Sequence, residues 1–271
     1  MKITVLVENT TIDAALKPKH GLSIYIETPD RKVLFDLGPD DTYLLNATKM
    51  GINIAEVDTV VISHGHYDHG GGLPGFLKAN SKAKIYLHKQ AFEPYYAKVL
   101  FVKKAIGLDK GLLGNDRFVL TDGATQIDDS LFLFSDVAEN SDTKSSRVLL
   151  KKTKNGYTKD DFAHEQSLII AAEGKTVLFS GCSHKGIASI LRTAKKHRPV
   201  INAVFGGFHL YNPATKAAEP PEVLQGLIDE LSVHDTEFYT GHCTGKKAYE
   251  FMHDGMGEKM RYFSTGTTIE L

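Results

Sequence analysis

The chain has few cysteines, no long apolar run and almost no excess of charge. Its 271 residues include 2 cysteines, too few for the disulfide framework of a small secreted domain. No stretch approaches the roughly 20 apolar residues that a membrane-spanning helix needs. The 32 Lys and Arg residues nearly balance 33 Asp and Glu residues, for a net charge of −1. We therefore expect no nucleic-acid partner and no membrane association.

Targeting and linker patterns are lacking as well. Residues 1–9 begin with a strand pattern rather than a charged segment followed by an apolar one, so no signal peptide is expected. No low-complexity segment or linker divides the chain. An apolar content of 42% is enough for a sizeable core, which favours a single domain over residues 1–271. We expect a soluble, cytoplasmic protein with a small-molecule substrate; no particular oligomeric state is predicted.

Strand and helix patterns alternate in two halves, which indicates an α/β fold with duplicated β–α layers. In the first half, strands are predicted at residues 3–7, 23–26, 33–35, 57–62 and 84–87, and helices at 41–50 and 73–78. In the second half, strands are predicted at residues 118–120, 130–134, 148–152, 168–171, 176–179, 203–205 and 238–240, and helices at 186–198, 221–233 and 246–260.

The most informative segment is SHGHYDHGG at residues 63–71, directly after the apolar, β-branched run at 57–62. That run is typical of a buried strand that ends in a loop. His64 and His66 are two residues apart, so in extended backbone they project to the same side. Asp68 and His69 follow in a turn. Imidazoles suit zinc, iron, copper or nickel, and a carboxylate adds a harder oxygen ligand. The spacing predicts two neighbouring metal positions, one for each pair.

Three later segments also place histidines or cysteines after predicted strands. They are SGCSH at residues 180–184, GGFHL at 206–210 and GHCTG at 241–245. Glycine has no side chain, so the two glycines before His209 let the backbone approach a ligand closely. We predict that His209 donates a proton or contacts the substrate; the alternative is a structural histidine.

These segments resemble the metallo-β-lactamase superfamily of metal-dependent hydrolases. SHGHYDHGG resembles the superfamily's signature, and VLFDLG at 33–38 resembles the strand that ends in its buried Asp. VLFSG at 177–181 resembles the strand that normally ends in Gly-Asp. YTGHCTG at 239–245 resembles the strand that carries the last histidine ligand. The resemblance implies a four-layer αβ/βα sandwich. It also implies a divalent metal, with zinc the expected ion and up to two per chain. Such ligands accept manganese, iron or nickel too.

The resemblance also assigns roles to individual residues. The metal ligands that it implies are His64, His66, Asp68, His69, His184 and His242. Cys182 stands where the superfamily usually has an Asp that bridges both metals. Cys182 either ligates a metal through its thiolate or is only a small buried residue. In the second case, His184 could supply the ligand that the superfamily's Asp usually provides. The usual mid-chain histidine loop is absent, and its nearest equivalent makes His164 a candidate. Asp36 is expected behind the metals, where it accepts the second N–H of a ligand histidine.

Other segments receive weaker predictions. Residues 90–115 are the least periodic and are expected to be helical or loop-like. They either cover the mouth of the site, as insertions do in this superfamily, or form an ordinary surface helix. Four histidines are predicted to face solvent: His88, His197, His234 and His253. His20 is not predicted as a ligand.

Two functions follow from the resemblance. In the preferred one, a metal-bound hydroxide attacks a small ester, lactone or phosphoester. Asp68 would ligate metal and orient the water, while His209 would protonate the leaving group. The segments SGCSH, GGFHL and GHCTG resemble more closely the branch named for a dihydropterin-(ribofuranosyl)aminobenzene-phosphate synthase. The alternative function is therefore a metal-dependent transferase that displaces diphosphate from a pterin.

Overall fold

Two seven-stranded sheets form the centre of the protein. The computed structural model describes residues 1–99, 101–138, 146–212 and 215–271. Its strands are β1 (Lys2–Val7), β2 (Ser23–Glu27), β3 (Lys32–Phe35), β4 (Thr59–Val61), β5 (Lys84–His88), β6 (Tyr95–Val99), β7 (Val102–Ala105), β8 (Phe118–Thr121), β9 (Thr125–Gln126), β10 (Leu131–Phe134), β11 (Leu149–Thr153), β12 (Gly156–Lys159), β13 (Ser167–Ala172), β14 (Lys175–Phe179), β15 (Ala203–Gly206), β16 (Tyr211–Asn212), β17 (Ala217–Ala218), β18 (Glu237–Thr240), β19 (Met260–Tyr262) and β20 (Thr268–Glu270). The helices are α1 (Thr42–Lys49), α2 (Tyr67–Gly70), α3 (Leu73–Ala79), α4 (Ile187–His197), α5 (Pro221–Ser232) and α6 (Lys246–Met256).

The sheets and helices form four layers. The first sheet has the order β20-β1-β2-β3-β4-β5-β8, and the second β19-β18-β15-β14-β13-β10-β9. Buried side chains of both sheets, among them Phe35 and Phe179, meet in one core between them. Helices α1 and α3 cover the outer face of the first sheet, and α4, α5 and α6 cover that of the second. The predicted αβ/βα sandwich is confirmed.

The neighbouring strands β3, β4, β5 and β8 of the first sheet are parallel. So are β14, β15, β18 and β19 of the second sheet. In open parallel sheets, ligands bind beyond the carboxyl ends of the strands. The segments singled out in the sequence follow these ends: Asp36 comes directly after β3, and His64 comes shortly after β4. The segments at 180–184, 206–210 and 241–245 lie at the ends of β14, β15 and β18.

A separate four-stranded sheet, β12-β11-β6-β7, corrects the prediction for residues 90–115. Strands β6 and β7, where a helix or loop was expected, form a hairpin in which Val99 pairs with Val102. The described residues on either side of the hairpin are turns, loop and one short 3-10 helix, as the prediction allows. Most side chains of β6 and β7 are at least partly exposed, so the strands show no alternation of apolar and polar residues. Leu100 lies outside the described residues. Strand β11, predicted as part of the second half, joins this small sheet as well.

Two further predictions of position were wrong. Strand β8, assigned to the second half, pairs in parallel with β5 at the edge of the first sheet. The final helix ends at Met256 rather than at residue 260, because Gly257 takes a left-handed φ of 57°. Such a conformation suits glycine and commonly ends helices. The chain then adds β19 and β20, which were not predicted. No helix among the described residues is long and apolar enough to cross a membrane.

Candidate metal centre

The strand ends of both large sheets meet at one cavity of about 340 Å³. The small sheet forms part of its wall. The lining residues are Asn9, His20, His66, Tyr67, Asp68, Ala97, Lys98, Val99, Lys104, Ile106, Val148, Leu149, Cys182, His184, His209, Tyr211, Asn212, His242 and Cys243. Two sets of metal-capable side chains lie at this cavity, named below as the first and second ligand groups.

The first ligand group is His64, His66 and His184. One nitrogen of each lies within 4.8 Å of the others. All three residues are buried, yet Nε2 of His64, Nε2 of His66 and both ring nitrogens of His184 have no hydrogen-bond partner. A buried polar atom without a partner is rare, because the loss of its hydration is then not offset. A bound metal ion would satisfy these atoms, so the donor set fits the cofactor that the sequence implies.

Burial also sets the protonation of this group. It lowers the pKa of His64 well below the usual range, with the neighbouring His69 and His66 adding to the effect. Burial likewise lowers the pKa of His184, helped by His209. A histidine must be neutral to ligate a metal, so this shift prepares both rings for ligation.

Several contacts hold the first ligand group in place. Phe162 stacks on His184 with ring centroids 4.5 Å apart and an interplanar angle of 4°. Glu165 accepts hydrogen bonds from the backbone N–H groups of His184 (2.6 Å) and Lys185 (2.9 Å). Asp160 Oδ2 lies 3.7 Å from Nε2 of His66. These contacts leave the rings little freedom to move.

The second ligand group is Asp68, His69 and His242. The Nε2 atoms of His69 and His242 lie 3.2 Å apart, and Asp68 Oδ2 is 3.5 Å from Nε2 of His242 and 3.9 Å from that of His69. Burial alone would raise the pKa of Asp68, but His69, His20 and His242 hold it well below its usual range. The carboxylate is therefore ionised and able to bind a cation.

Hydrogen bonds orient the second ligand group from behind. Asp36 Oδ2 lies 2.6 Å from Nδ1 of His69, where the prediction puts a supporting carboxylate. Asn9 Oδ1 is 3.0 Å from Nδ1 of His242, and Glu8 accepts the backbone N–H of His242 at 2.7 Å. Because the Nδ1 atoms are engaged, the Nε2 atoms of both histidines are left to face the site.

Cys182 lies between the two ligand groups. Its Sγ is 3.1 Å from Nε2 of His69, and it lies within 4.8 Å of ligand atoms in His64, His184 and His242. Burial raises the pKa of the thiol well above its usual range, and Cys243 adds to this. A thiol in this environment stays protonated until a cation replaces the proton, so both predicted roles of Cys182 are compatible with its position.

The backbone around the site is strained. Seven non-glycine residues in the described chain have a left-handed φ, and five of them lie at or beside the site. Those five are Asp36, Phe162, Ser183, His209 and His242, with φ between 51° and 60°. Such conformations are uncommon for residues other than glycine and cluster at functional sites, where the surrounding structure holds them.

The structure also locates the remaining candidates. His209 is half-buried, with its ring centroid 4.3 Å from that of His184, and it lines the cavity. His164 accepts the N–H of Gly65 at Nδ1 (2.8 Å), and its Nε2 lies 3.1 Å from Asp160. Both of its nitrogens are engaged, so His164 supports the site from behind rather than facing it as a ligand. Burial lowers its pKa to about 4.

Two further histidines lie outside the predicted ligand set. His20, which was not predicted as a ligand, is half-exposed, and its Nε2 is 3.4 Å from Asp68 Oδ2 at the edge of the second ligand group. His88, predicted to face solvent, is buried with 3% exposure, because it ends β5, an interior strand of the first sheet.

Four supporting residues were not predicted from the sequence: Glu8, Asn9, Asp160 and Glu165. Each acts on a histidine that is distant along the chain or in a loop of irregular shape. An Asn or Glu at the end of a first strand carries no spacing signal, and only the folded chain brings it to His242.

Comparison with known proteins agrees with this geometry. The sequence profile of the metallo-beta-lactamase superfamily matches residues 16–219. The chain is 28% identical over 270 residues to the 7,8-dihydropterin-6-methyl-4-(beta-D-ribofuranosyl)-aminobenzene-5'-phosphate synthase of Methanocaldococcus jannaschii, with 93% of this chain and 90% of the relative covered.

Solved structures share the fold. The crystal structure of a metal-dependent hydrolase of the beta-lactamase superfamily superposes with a TM-score of 0.83 at 27% identity, covering 100% of this chain and 99% of that one. Zinc-bound PqqB from Methylobacterium extorquens has a TM-score of 0.60 at 12% identity, with 100% of each chain covered. The profile spans most of the chain, and the sandwich and both ligand groups are present. The chain therefore belongs to the metallo-β-lactamase superfamily.

Proposed function

We propose that the protein is a metal-dependent hydrolase that cleaves a small ester, lactone or phosphoester. The observation that carries this proposal is the set of buried imidazole nitrogens without hydrogen-bond partners in the first ligand group. They lie beside the ionised Asp68 at a cavity open to a substrate. A volume of about 340 Å³ is at the lower end of the range for small-molecule sites.

The two ligand groups would each hold one divalent ion, with zinc the expected metal. The first would use His64, His66 and His184, and the second Asp68, His69 and His242. Imidazole and carboxylate ligands are the usual set for catalytic zinc. Bound there, the metals would polarise the substrate and activate water at neutral pH.

The protein's own residues would orient and complete the reaction. Asp68 accepts hydrogen bonds through its ionised carboxylate and can orient an attacking water. His209 lines the cavity beside the first ligand group and would protonate the leaving group. Apolar side chains in and next to the small sheet, including Leu149 of β11 and Ile106 just after β7, would exclude water from the rest of the substrate.

A second candidate function is a transferase that displaces diphosphate from a pterin. The observation that favours it is the 28% identity to a synthase across 93% of this chain. In this reading the same ligand groups would neutralise a departing diphosphate instead of supporting attack by water. The cavity would then have to hold two substrates together.

Metal analysis combined with an activity screen tests the proposal. Protein loaded with zinc or manganese is expected to retain two equivalents of metal and to hydrolyse at least one ester, lactone or phosphodiester. Release of diphosphate from a pterin diphosphate, dependent on a second substrate, would support the transferase instead. Protein that retains no metal would contradict both functions.

A further inference from the structure

The tip of the hairpin formed by β6 and β7 carries apolar side chains that face solvent. Val99 and Val102 are the pair of residues that closes the hairpin, and they are 43% and 66% exposed. Phe101, in the turn between them, is fully exposed. Apolar side chains that are grouped and exposed in this way indicate a surface that contacts a partner or a membrane.

Lysines surround this apolar tip. Lys98 and Lys103 lie opposite each other, one residue behind the closing pair, so both are on one face of the hairpin. Lys104 follows Lys103 and is on the other face, because side chains alternate along a strand. All three lysines are exposed. The tip therefore has cationic side chains behind it on both faces, within about 7 Å along the strand.

The small sheet also concentrates positive charge. Segments 95–105 and 149–159, which contain its four strands, hold seven lysines and no acidic residue, although the whole chain has a net charge of −1. Two ammonium groups behind the tip face aromatic rings: Lys103 lies 4.3 Å from the ring centroid of Tyr157, and Lys104 lies 5.8 Å from that of Tyr67. The surface thus fits a partner that is both anionic and apolar.

A second copy of the chain fits this surface poorly. Strand β7 is at the edge of its sheet. Pairing of two such edges would bring Lys103 and Lys104 of one copy against those of the other, and like charges in that position destabilise a sheet. An anionic bilayer has no such conflict, because its acyl chains accept apolar side chains while its headgroups attract lysines.

We propose that the β6–β7 hairpin docks the protein on the surface of an anionic phospholipid bilayer. Phe101 and Val102 would enter the boundary between headgroups and acyl chains, and the three lysines would bind lipid phosphates. The expectation of no membrane association rested on the net charge and the lack of a spanning segment, and a peripheral contact requires neither. Val99 also lines the metal-site cavity, so docking would place that part of the cavity next to the bilayer.

Vesicle sedimentation tests the contribution of the tip. The protein is mixed with vesicles of phosphatidylcholine alone, or of phosphatidylcholine and phosphatidylglycerol in equal amounts. The variant F101S/V102T is compared with V200T/V233T, a control at two valines of similar exposure that follow helices α4 and α5. The unsubstituted protein and the control should sediment with the mixed vesicles and not with phosphatidylcholine alone. F101S/V102T should bind the mixed vesicles roughly 10-fold more weakly.

The same assay tests the lysines. K98Q/K103Q removes two charges behind the tip, and the control K152Q/K154Q removes two charges at the opposite end of the sheet. K98Q/K103Q should bind the mixed vesicles roughly 10-fold or more weakly, with a smaller dependence on salt, and the control should lose little. Equal losses in the two variants would overturn the assignment to the hairpin, because the whole sheet would then attract the bilayer.

A tryptophan at the tip reports insertion directly. The chain has no tryptophan, so F101W supplies a single reporter, with V233W as the control. Emission from F101W should shift to shorter wavelength with the mixed vesicles and be quenched by lipids with brominated acyl chains, unlike emission from V233W. Mixed vesicles that leave every protein in the supernatant would overturn the proposal. So would a dimer that F101S/V102T dissociates, because the tip would then bind a second copy. None of these measurements depends on the reaction that the protein catalyses.

Discussion

The two metal-ligand groups are built by different means. In the first ligand group, four of the six ring nitrogens have no hydrogen-bond partner, and burial lowers the pKa of His64 and His184. In the second, buried carboxylates and an amide engage the histidines from behind. Burial opposes protonation of His69, but Asp36 and Asp68 outweigh it and raise its pKa. The rings of the first group are positioned by packing and by hydrogen bonds to the backbone of His184. In the second group, hydrogen bonds hold the ring nitrogens themselves.

This difference indicates how each group should respond to change. The unpartnered ring nitrogens of the first group make no hydrogen bonds that a substitution would break, so removal of a ligand should reduce metal binding with little harm to the fold. The second group is part of a buried hydrogen-bond network, so its supporting residues should affect folding as well. Removal of one member of a buried ion pair leaves an uncompensated charge or donor.

The largest expected effect is a loss of turnover, caused by a substitution of His209 next to the first ligand group. His209→Ala should lower kcat by roughly 10²- to 10⁴-fold, the usual contribution of a general acid. Metal content should stay near that of the unsubstituted protein, measured by elemental analysis of the same samples. A loss of metal would make His209 a ligand and enlarge the first group; unchanged kcat would make it structural.

The next largest expected effect concerns Asp36, which supports the second ligand group by its contact with His69. Asp36→Ala should lower the free energy of unfolding by about 3–5 kcal/mol, because the carboxylate serves both Nδ1 of His69 and the N–H of Ser63. Chemical denaturation measures the loss, and elemental analysis should show one metal equivalent missing. Asp36→Asn, which keeps the shape, is the control with a smaller loss. Full metal content in Asp36→Ala would show that hydrogen bonds do not define the second group.

A pH effect tests the first group. Burial raises the pKa of Glu165 to about 7. A carboxyl whose pKa is higher in the folded than in the unfolded protein stabilises the fold at pH values below its unfolded-state pKa. That stabilisation is lost as the pH rises through the folded-state pKa of about 7. In Glu165→Gln this loss disappears. With both proteins chelator-treated, the unfolding free energy of the variant should gain up to about 3 kcal/mol relative to the unsubstituted protein between pH 5 and pH 8. Parallel pH profiles would contradict the expectation.

The smallest expected effect concerns the boundary between the groups. His184→Ala should weaken zinc binding about 10-fold more than Cys182→Ala, because ring nitrogens of His184 have no other partner whereas Cys182 contacts His69. Competition with a chromophoric chelator measures both affinities. Equal or reversed losses would show that the thiolate bridges the two groups, as the superfamily's Asp does.

The part of the site that could be predicted from the sequence is the part whose residues are close together along the chain. His64, His66, Asp68 and His69 fall within six positions, and their spacing alone indicated two positions for metal. Asp36 and His242 were identified only through resemblance to a family. Asp160 and Glu8 carried no signal, because their contacts depend on how distant loops pack.

The fold was predictable to a similar degree. Apolar runs located the buried strands and helices of the two large sheets. The small sheet was missed because β6 and β7 combine exposed lysines with scattered aromatics, which gives no clear period. The position of β8 beside β5 was also missed, because the residues of a strand do not specify the strand with which it pairs.

The hydrogen bond between Glu8 and His242 joins residues 234 positions apart. Contacts of such long range form late in folding, since closing so large a loop costs chain entropy before any contact repays it. A growing chain displays the local cluster at residues 64–69 long before His242 exists. The second ligand group is complete only when β1 and the loop after β18 have docked. A metal ion can therefore be bound by all three residues of the second ligand group only after β1 and the loop that follows β18 have packed together.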